Sequence, residues 1–296
     1  MAQAASLPEQ VRPIAQANSH RARTWFTYLI LLAVGILMGF PFLWTVTSSL
    51  KTAPETQFFP PLLFPAIPQW HNYIQVFTDQ PIAQWFLNSL IIAGLAIPGA
   101  VITGTLVAYS FARFNYPGRE ALFMVLLSTM MIPYEVTLIP QYLVFVQIHW
   151  VNTFLPLIVP LWGGGGAFTV FLLRQFMMTI PRDLDDAASV DGAGSFTILW
   201  NIIAPLSRPA LATVAILLFL NQWNDFLGPL IYLNDPTLFT MSLGLRYFQT
   251  IPESTQASKD NLLMTATVIM SLPAIFLFFA AQRYFVQGIV MTGLKL

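Results

Sequence analysis

Apolar residues run along this chain in long blocks, and the few charged residues fall mostly between the blocks. No Asp, Glu, Lys or Arg occurs between Arg23 and Lys51, and none between Asp79 and Arg113. A helix crosses the hydrocarbon core of a bilayer with about 20 mostly apolar residues. The blocks therefore predict six spans: about Trp25 to Thr47, Phe86 to Phe111, Ala121 to Leu143, Thr153 to Leu173, Pro209 to Leu233 and Leu262 to Gln282. The third is interrupted by Pro133, Glu135 and Pro140, and the fifth contains Asp225. The fold class that follows is an all-α polytopic membrane protein. Residues 1–24 form an N-terminal tail and residues 25–296 one six-span domain, with a polar inner loop at about 180–206.

Composition agrees with the pattern. Of 296 residues, 56% are hydrophobic and 9% charged, against about 25% charged in an ordinary soluble domain. That argues against a cytosolic enzyme and against a nucleic-acid binder, which needs clustered basic residues. The absence of Cys removes disulfides, thiolate catalysis and Cys-ligated metals. The formal net charge of zero hides an asymmetry. With the N-terminus inside, Arg12, Arg21, Arg23, Arg113, Arg119, Arg174, Arg182, Arg208, Arg283 and Lys295 are cytoplasmic, while only Lys51, Arg246 and Lys259 are outside. Basic residues favour the cytoplasmic side, so both termini are expected there.

Sites for catalysis are missing. No G-x-x-x-x-G-K-[ST] loop, H-E-x-x-H or G-x-S-x-G occurs, and His20, His71 and His149 lie far apart. The run Gly163 to Gly166 has no following Lys and reads as close helix packing through small residues. The chain is expected to be non-catalytic and to bind no cofactor or metal; energy comes from a partner or a gradient.

The inner loop carries the most information. Pro181 and Asp183 open a helix, with Asp185 and Asp186 in its first turn, where the helix dipole favours anions. Leu184, Ala187, Ala188 and Asp191 share one side of it, and Gly192 ends it or admits another backbone. A second apolar helix, about Ser195 to Ile203, leads to Pro205. The run Asp186, Ala187, Ala188, two residues, Asp191, Gly192, Ala193, with Pro205 beyond, resembles the E-A-A-x-x-D-G-A motif of ABC importer permeases, with Asp in place of the usual Glu.

Further segments resemble the carbohydrate-uptake branch of that family, the six-span second permease of maltose-type transporters. They are Asn88-Ser89-Leu90, Ala108 to Arg113, Pro117-Gly118-Arg119, Ile132-Pro133, Leu172 to Phe176, Trp223 to Phe226 with Pro229-Leu230, and Phe285-Val286 with Gly288. The resemblance implies the type I importer fold in a bacterial inner membrane, with a coupling helix that docks on an ATPase. It also implies a paralogous permease, two ATPase subunits using ATP and Mg, and an extracytoplasmic solute-binding protein. The tail from Phe285 to Leu296 matches the region that reaches between the ATPases in that family.

Polar residues within the spans mark a translocation pathway or gate: Asn221, Trp223, Asn224, Asp225 and Glu135. A carboxylate in a span needs a partner or a wet cavity, and two readings of Asp225 stand, solute contact and a structural or gating pairing with the sister subunit. Glu135, between two prolines, reads as bonding backbone freed at a broken helix or as lining a pore. No Lys or Arg falls in a span, which favours an uncharged solute such as a sugar or polyol; a glycerol-phosphate importer is the alternative within the branch. A self-contained gradient-driven transporter would show repeats and more intramembrane acids, and neither is apparent. In the outer loop 234–261, Leu243, Leu245, Tyr247 and Phe248 form an apolar cluster rimmed by polar residues. It reads as a contact for the binding protein or as packing on neighbouring spans.

Overall fold

The computed structural model describes residues 14–250 and 259–293, with side chains placed for residues 24–246 and 259–282. The described residues form helices and loops, with no strand among them. The main helices are α1 (Ile14–Ser49), α2 (Asn72–Asp79), α3 (Ile82–Arg113), α4 (Arg119–Ser128), α5 (Tyr134–Gln147), α6 (Ala167–Met178), α7 (Asp183–Val190), α8 (Arg208–Asn224), α9 (Leu227–Tyr232), α10 (Met241–Thr250) and α11 (Asp260–Gly293).

Among the described residues, four stretches are long and apolar enough to cross a membrane: Thr24–Ser49, Ile82–Arg113, Leu155–Met178 and Asp260–Gln282. Two bent pairs raise the count to six: Arg119–Met131 with Tyr134–Gln147 at 97°, and Ser195–Leu206 with Arg208–Asn224 at 78°. The third span is thus not one rod. Pro133 has no N–H to give and pushes the residue before it out of the α region; Ile132 is extended, at φ −85° and ψ 115°. Pro140, by contrast, is accommodated inside α5.

The fifth span also departs from expectation. It was expected to continue to Leu233, but α8 stops at Asn224 and Asp225 is extended (φ −63°, ψ 120°). The Asp225 carboxylate then accepts the Gly228 N–H at 3.1 Å, which caps the start of α9. In the fourth span, Gly164, Gly165 and Gly166 hold φ of 91°, 67° and 84°. The run is a left-handed loop rather than helix, a backbone open to glycine without steric cost. Close packing there is real: a Cβ on Gly104 would lie 2.9 Å from the Gly164 carbonyl oxygen.

Helices gain little from mutual burial inside lipid, so close approach and hydrogen bonds must hold them. Helix α3 is shaped for this, with small buried residues at every fourth position: Ala96, Ala100, Gly104, Ala108 and Ala112. Side chains four apart share a helix face, and α6 and α8 pack along α3 while α11 packs against α1 and α8. One core cluster centres on Trp85, Tyr232, Met241 and Leu262, and the other on Tyr109, Leu173, Met177 and Leu199.

The end that carries residues 51–81 and 234–250 is pinned by polar joints. Lys51 is fully buried, donating to the Leu62 carbonyl at 2.6 Å and to Ser48 Oγ at 3.1 Å, with Nζ 4.0 Å from the Trp44 ring centroid. Burial pushes its amine below the ordinary lysine pKa, partly offset by Glu55. At the start of α3, Trp85 Nε1 donates to the Pro236 carbonyl, Asn88 Nδ2 to the Thr237 and Phe239 carbonyls, and Ser89 Oγ accepts the Met241 N–H.

Candidate functional site

In the loop between Ile180 and Leu206 the first helix forms where expected, while the second, expected over about Ser195 to Ile203, is α-helical only at Ser195–Ile198. Helix α7 holds Asp183, Asp185 and Asp186 in its first turn. It ends in a left-handed cap: Gly192, at φ 83°, donates its N–H to the Ser189 carbonyl (3.0 Å), and Ala193 donates to the Ala188 carbonyl (2.9 Å). This pair of bonds is the Schellman closure, which wants glycine at the left-handed position and an apolar contact between the residues on either side of the crossing. Ala188 and Ala193 supply it, both half-buried against the second core cluster. The A-x-x-D-G-A spacing is therefore the chemistry of a helix stop.

The rest of the motif faces outward. Asp186, Ala187, Asp191 and Gly192 are exposed, and apolar Val190 and Phe196 stand 88% and 71% exposed beside them. Pro205, half-buried, lies in the short helix Ala204–Leu206 after a π turn at Leu199–Ile203. Without an N–H, Pro205 cannot serve the Asn201 carbonyl one turn back, a local cause of the irregular turn.

Asp185, read from sequence only as a first-turn acid, anchors this loop. Its Oδ2 lies 3.0 Å from Arg113 Nε at the end of α3, with the two side chains 17% and 4% exposed. Arg113 also donates to the Ile180 carbonyl (3.1 Å), and Arg182 to the Ala112 carbonyl (3.4 Å). Burial raises the Asp185 pKa above the ordinary carboxylate value, while Arg113 pulls it back. A second joint lies alongside. Arg174, buried on α6, donates to the Phe111 carbonyl, pairs with Glu120 at 3.3 Å and sits 4.0 Å over the Phe123 ring. The only hint in the sequence was that these charges flank the spans; the pairings come from the fold.

The intramembrane polar residues separate. Asn221, Gln222 and Asp225 line one cavity of about 540 Å³ with Tyr134, Gln141 and Tyr232, walled by Pro156 and Pro160. Trp223 does not join them, which corrects its place in the pathway. At 100° per residue it points away from Asn221; it is 2% exposed, packs edge-on to Phe86 and donates to the Met270 carbonyl at 3.0 Å. Asn224 is exposed outside the lining, its amide bonded back to the Leu220 carbonyl. Glu135 stands exposed in the first turn of α5, next to the break but outside the lining. Tyr134, Gln141, Gln222 and Tyr232 were missed, because a Tyr or Gln in an apolar block carries no periodic or charge signal.

The outer cluster needs a correction. Leu243 is 4% exposed and belongs to the core with Trp85 and Met241, so it offers no surface to a partner. Leu245 is half-buried against the same cluster. The side chains of Tyr247 and Phe248, and those of the tail from Phe285 on, lie outside the described residues, although the backbone of α11 runs to Gly293.

Four likenesses to known proteins bear on this geometry. A family profile described as binding-protein-dependent transport system inner membrane component matches residues 80–291. The arabinooligosaccharides transport system permease protein AraQ of Halalkalibacterium halodurans is 30% identical over 277 residues, 92% of this chain and 96% of that protein. The sn-glycerol-3-phosphate transport system permease protein UgpE of Agrobacterium fabrum is 30% identical over 290 residues, 95% and 98% of the two chains. In fold, the chain is similar to one from a bacterial ABC transporter involved in the import of the acidic polysaccharide alginate. The TM-score is 0.80 over 94% of this chain and 100% of that one, at 19% identity.

Proposed function

The chain belongs to the family of binding-protein-dependent transport system inner membrane components, and from that premise we propose that it is a permease subunit of an ATP-driven importer for a sugar or related polyol. It pairs with a paralogous permease in the inner membrane, with both termini cytoplasmic. Two ATPase subunits bind and hydrolyse ATP with Mg, and an extracytoplasmic protein delivers the solute. This chain itself is non-catalytic.

The observation that carries the reading is the outward ledge of α7. Asp186, Ala187 and Asp191 stand on a rigidly capped helix, flanked by exposed Val190 and Phe196, which none of the described residues buries. Exposed apolar groups among polar ones mark a contact surface. Arg113, Asp185, Arg174 and Glu120 tie the loop's surroundings to α3, α4 and α6, so a push on the ledge is passed to the spans. Asn221 and Asp225 line the passage, and the tail from Phe285 reaches the ATPases. Relatives named for an arabino-oligosaccharide and for a glycerol phosphate leave the glycerol-phosphate importer as the second reading.

The test is purification of the detergent-solubilised chain with its sister subunit. An ATPase should co-purify, and in lipid nanodiscs its turnover should rise when the loaded binding protein is added. Recovery of the chain without any ATPase, together with uptake driven by an ion gradient alone, would overturn the proposal.

A further inference from the structure

We propose that the cavity beside Asp225 is a solute-binding subsite within this subunit, built for an uncharged solute rich in hydroxyl groups. The inference rests on the import reading and goes beyond it, since a permease can pass a solute without holding it.

The first support is a hydroxyl without a partner. Tyr232 lines the cavity with Tyr134, its OH is buried, and it has no hydrogen-bond partner among the described residues. A buried polar group left unpaired is costly and rare. The ring cannot swing away easily, because Tyr142 stacks on it at 6.3 Å and Phe145 meets it edge-on at 5.3 Å. The second support is the company it keeps. Asn221, Gln141 and Gln222 bring amides and Asp225 brings a carboxylate to the same space. One Asp225 oxygen is used by the Gly228 N–H; the other lies where a Cβ on Gly228 would be, 2.5 Å away, so glycine there makes room for the carboxylate.

Size and charge then select the ligand. The volume falls within the range of about 300–1,000 Å³ usual for small-molecule sites. Among the described residues no Lys, Arg or His lines the cavity, and Asp225 repels anions. Solute hydroxyls both donate and accept, which suits a wall that mixes a carboxylate, amide groups and a phenol. Tyr134 adds an aromatic face, 43% exposed.

The experiment uses the whole transporter in proteoliposomes at saturating binding protein, with arabinotriose, maltotriose, glycerol and glycerol 3-phosphate as probes. Wild type should take up an uncharged probe and not glycerol 3-phosphate. Tyr232→Phe, which removes only the unpaired OH, should slow that uptake about fivefold, the usual worth of one neutral hydrogen bond. Gln141→Leu should do the same, with equal amounts of intact complex recovered in both cases. Wild-type uptake in both variants, or glycerol 3-phosphate as the transported probe, overturns the subsite while leaving the import reading standing. ATP-driven uptake of none of the probes removes the sugar and polyol reading, and the subsite falls with it.

Discussion

Gly192 shows how one residue stops a helix and exposes a surface. Its φ of 83° lies in the left-handed region, and a Cβ built there meets nothing within 4 Å. Any cost of substitution is therefore conformational, about 1–2 kcal/mol for most residues. Gly192→Val should abolish stimulation of ATPase activity by the binding protein while the chain still inserts, and Gly192→Asn should do so less, because Asn tolerates that region. Normal stimulation in the valine variant would refute the role. The neighbouring acids part in the same way. Asp185→Ala leaves the Arg113 guanidinium buried without its counter-charge, a loss on the order of 3 kcal/mol, and should lower the midpoint of thermal unfolding of the complex. Asp186→Ala, at an exposed site, should leave that midpoint alone and weaken coupling. Equal midpoints for the two variants would contradict this division.

Among the elements, α10 is the one whose role changed most between sequence and structure. It lies on the N-terminal end of α3, with Gly244 against the Trp85 ring, where a Cβ would fall 2.1 Å from Cε3. Gly244→Ala should lift the helix and cut recovery of the assembled complex, and Leu243→Ala should cost about 2–5 kcal/mol as a buried truncation. The contact role we propose rests on Tyr247 and Phe248. Replacing both with Ser should weaken the ATPase response to added binding protein with the complex intact. A complex that dissociates on purification would assign them to packing instead.

At the scale of the whole molecule, the spans are unevenly covered. None of the apolar window of Thr24–Ser49 is buried by the described residues, against 39% for Leu155–Met178; in the proposed complex α1 is the span left for lipid or the sister subunit. The distribution of Lys and Arg predicts that both termini lie inside, and the absence of Cys makes that directly measurable. Ile67, 71% exposed, and Val190 serve as reporters. A membrane-impermeant thiol reagent should label Ile67→Cys in intact cells, and Val190→Cys only after permeabilisation. The reverse pattern would invert the topology.

What the sequence by itself determined was local in its physics. Long charge-free blocks announce spans because lipid rewards apolar side chains one residue at a time. The inner loop was readable because a helix stop is written within six residues, from Ala188 to Ala193. Even the bend at Pro133 follows from a missing N–H and a steric clash with its neighbour. Tertiary structure decided the rest. Whether Asp225 continued α8 or ended it depended on Gly228 and on the space beside it. That Trp223 turns into the core while Tyr232 and Gln141 turn to the cavity depended on which faces α3, α5 and α11 already occupied. Arg113 found Asp185, and Asn88 found the 237–239 carbonyls, across distances in sequence that no periodicity spans. Pairings of this kind arise because buried charges and amides must be satisfied by whatever the packed helices bring near, and only the packed helices specify what that is.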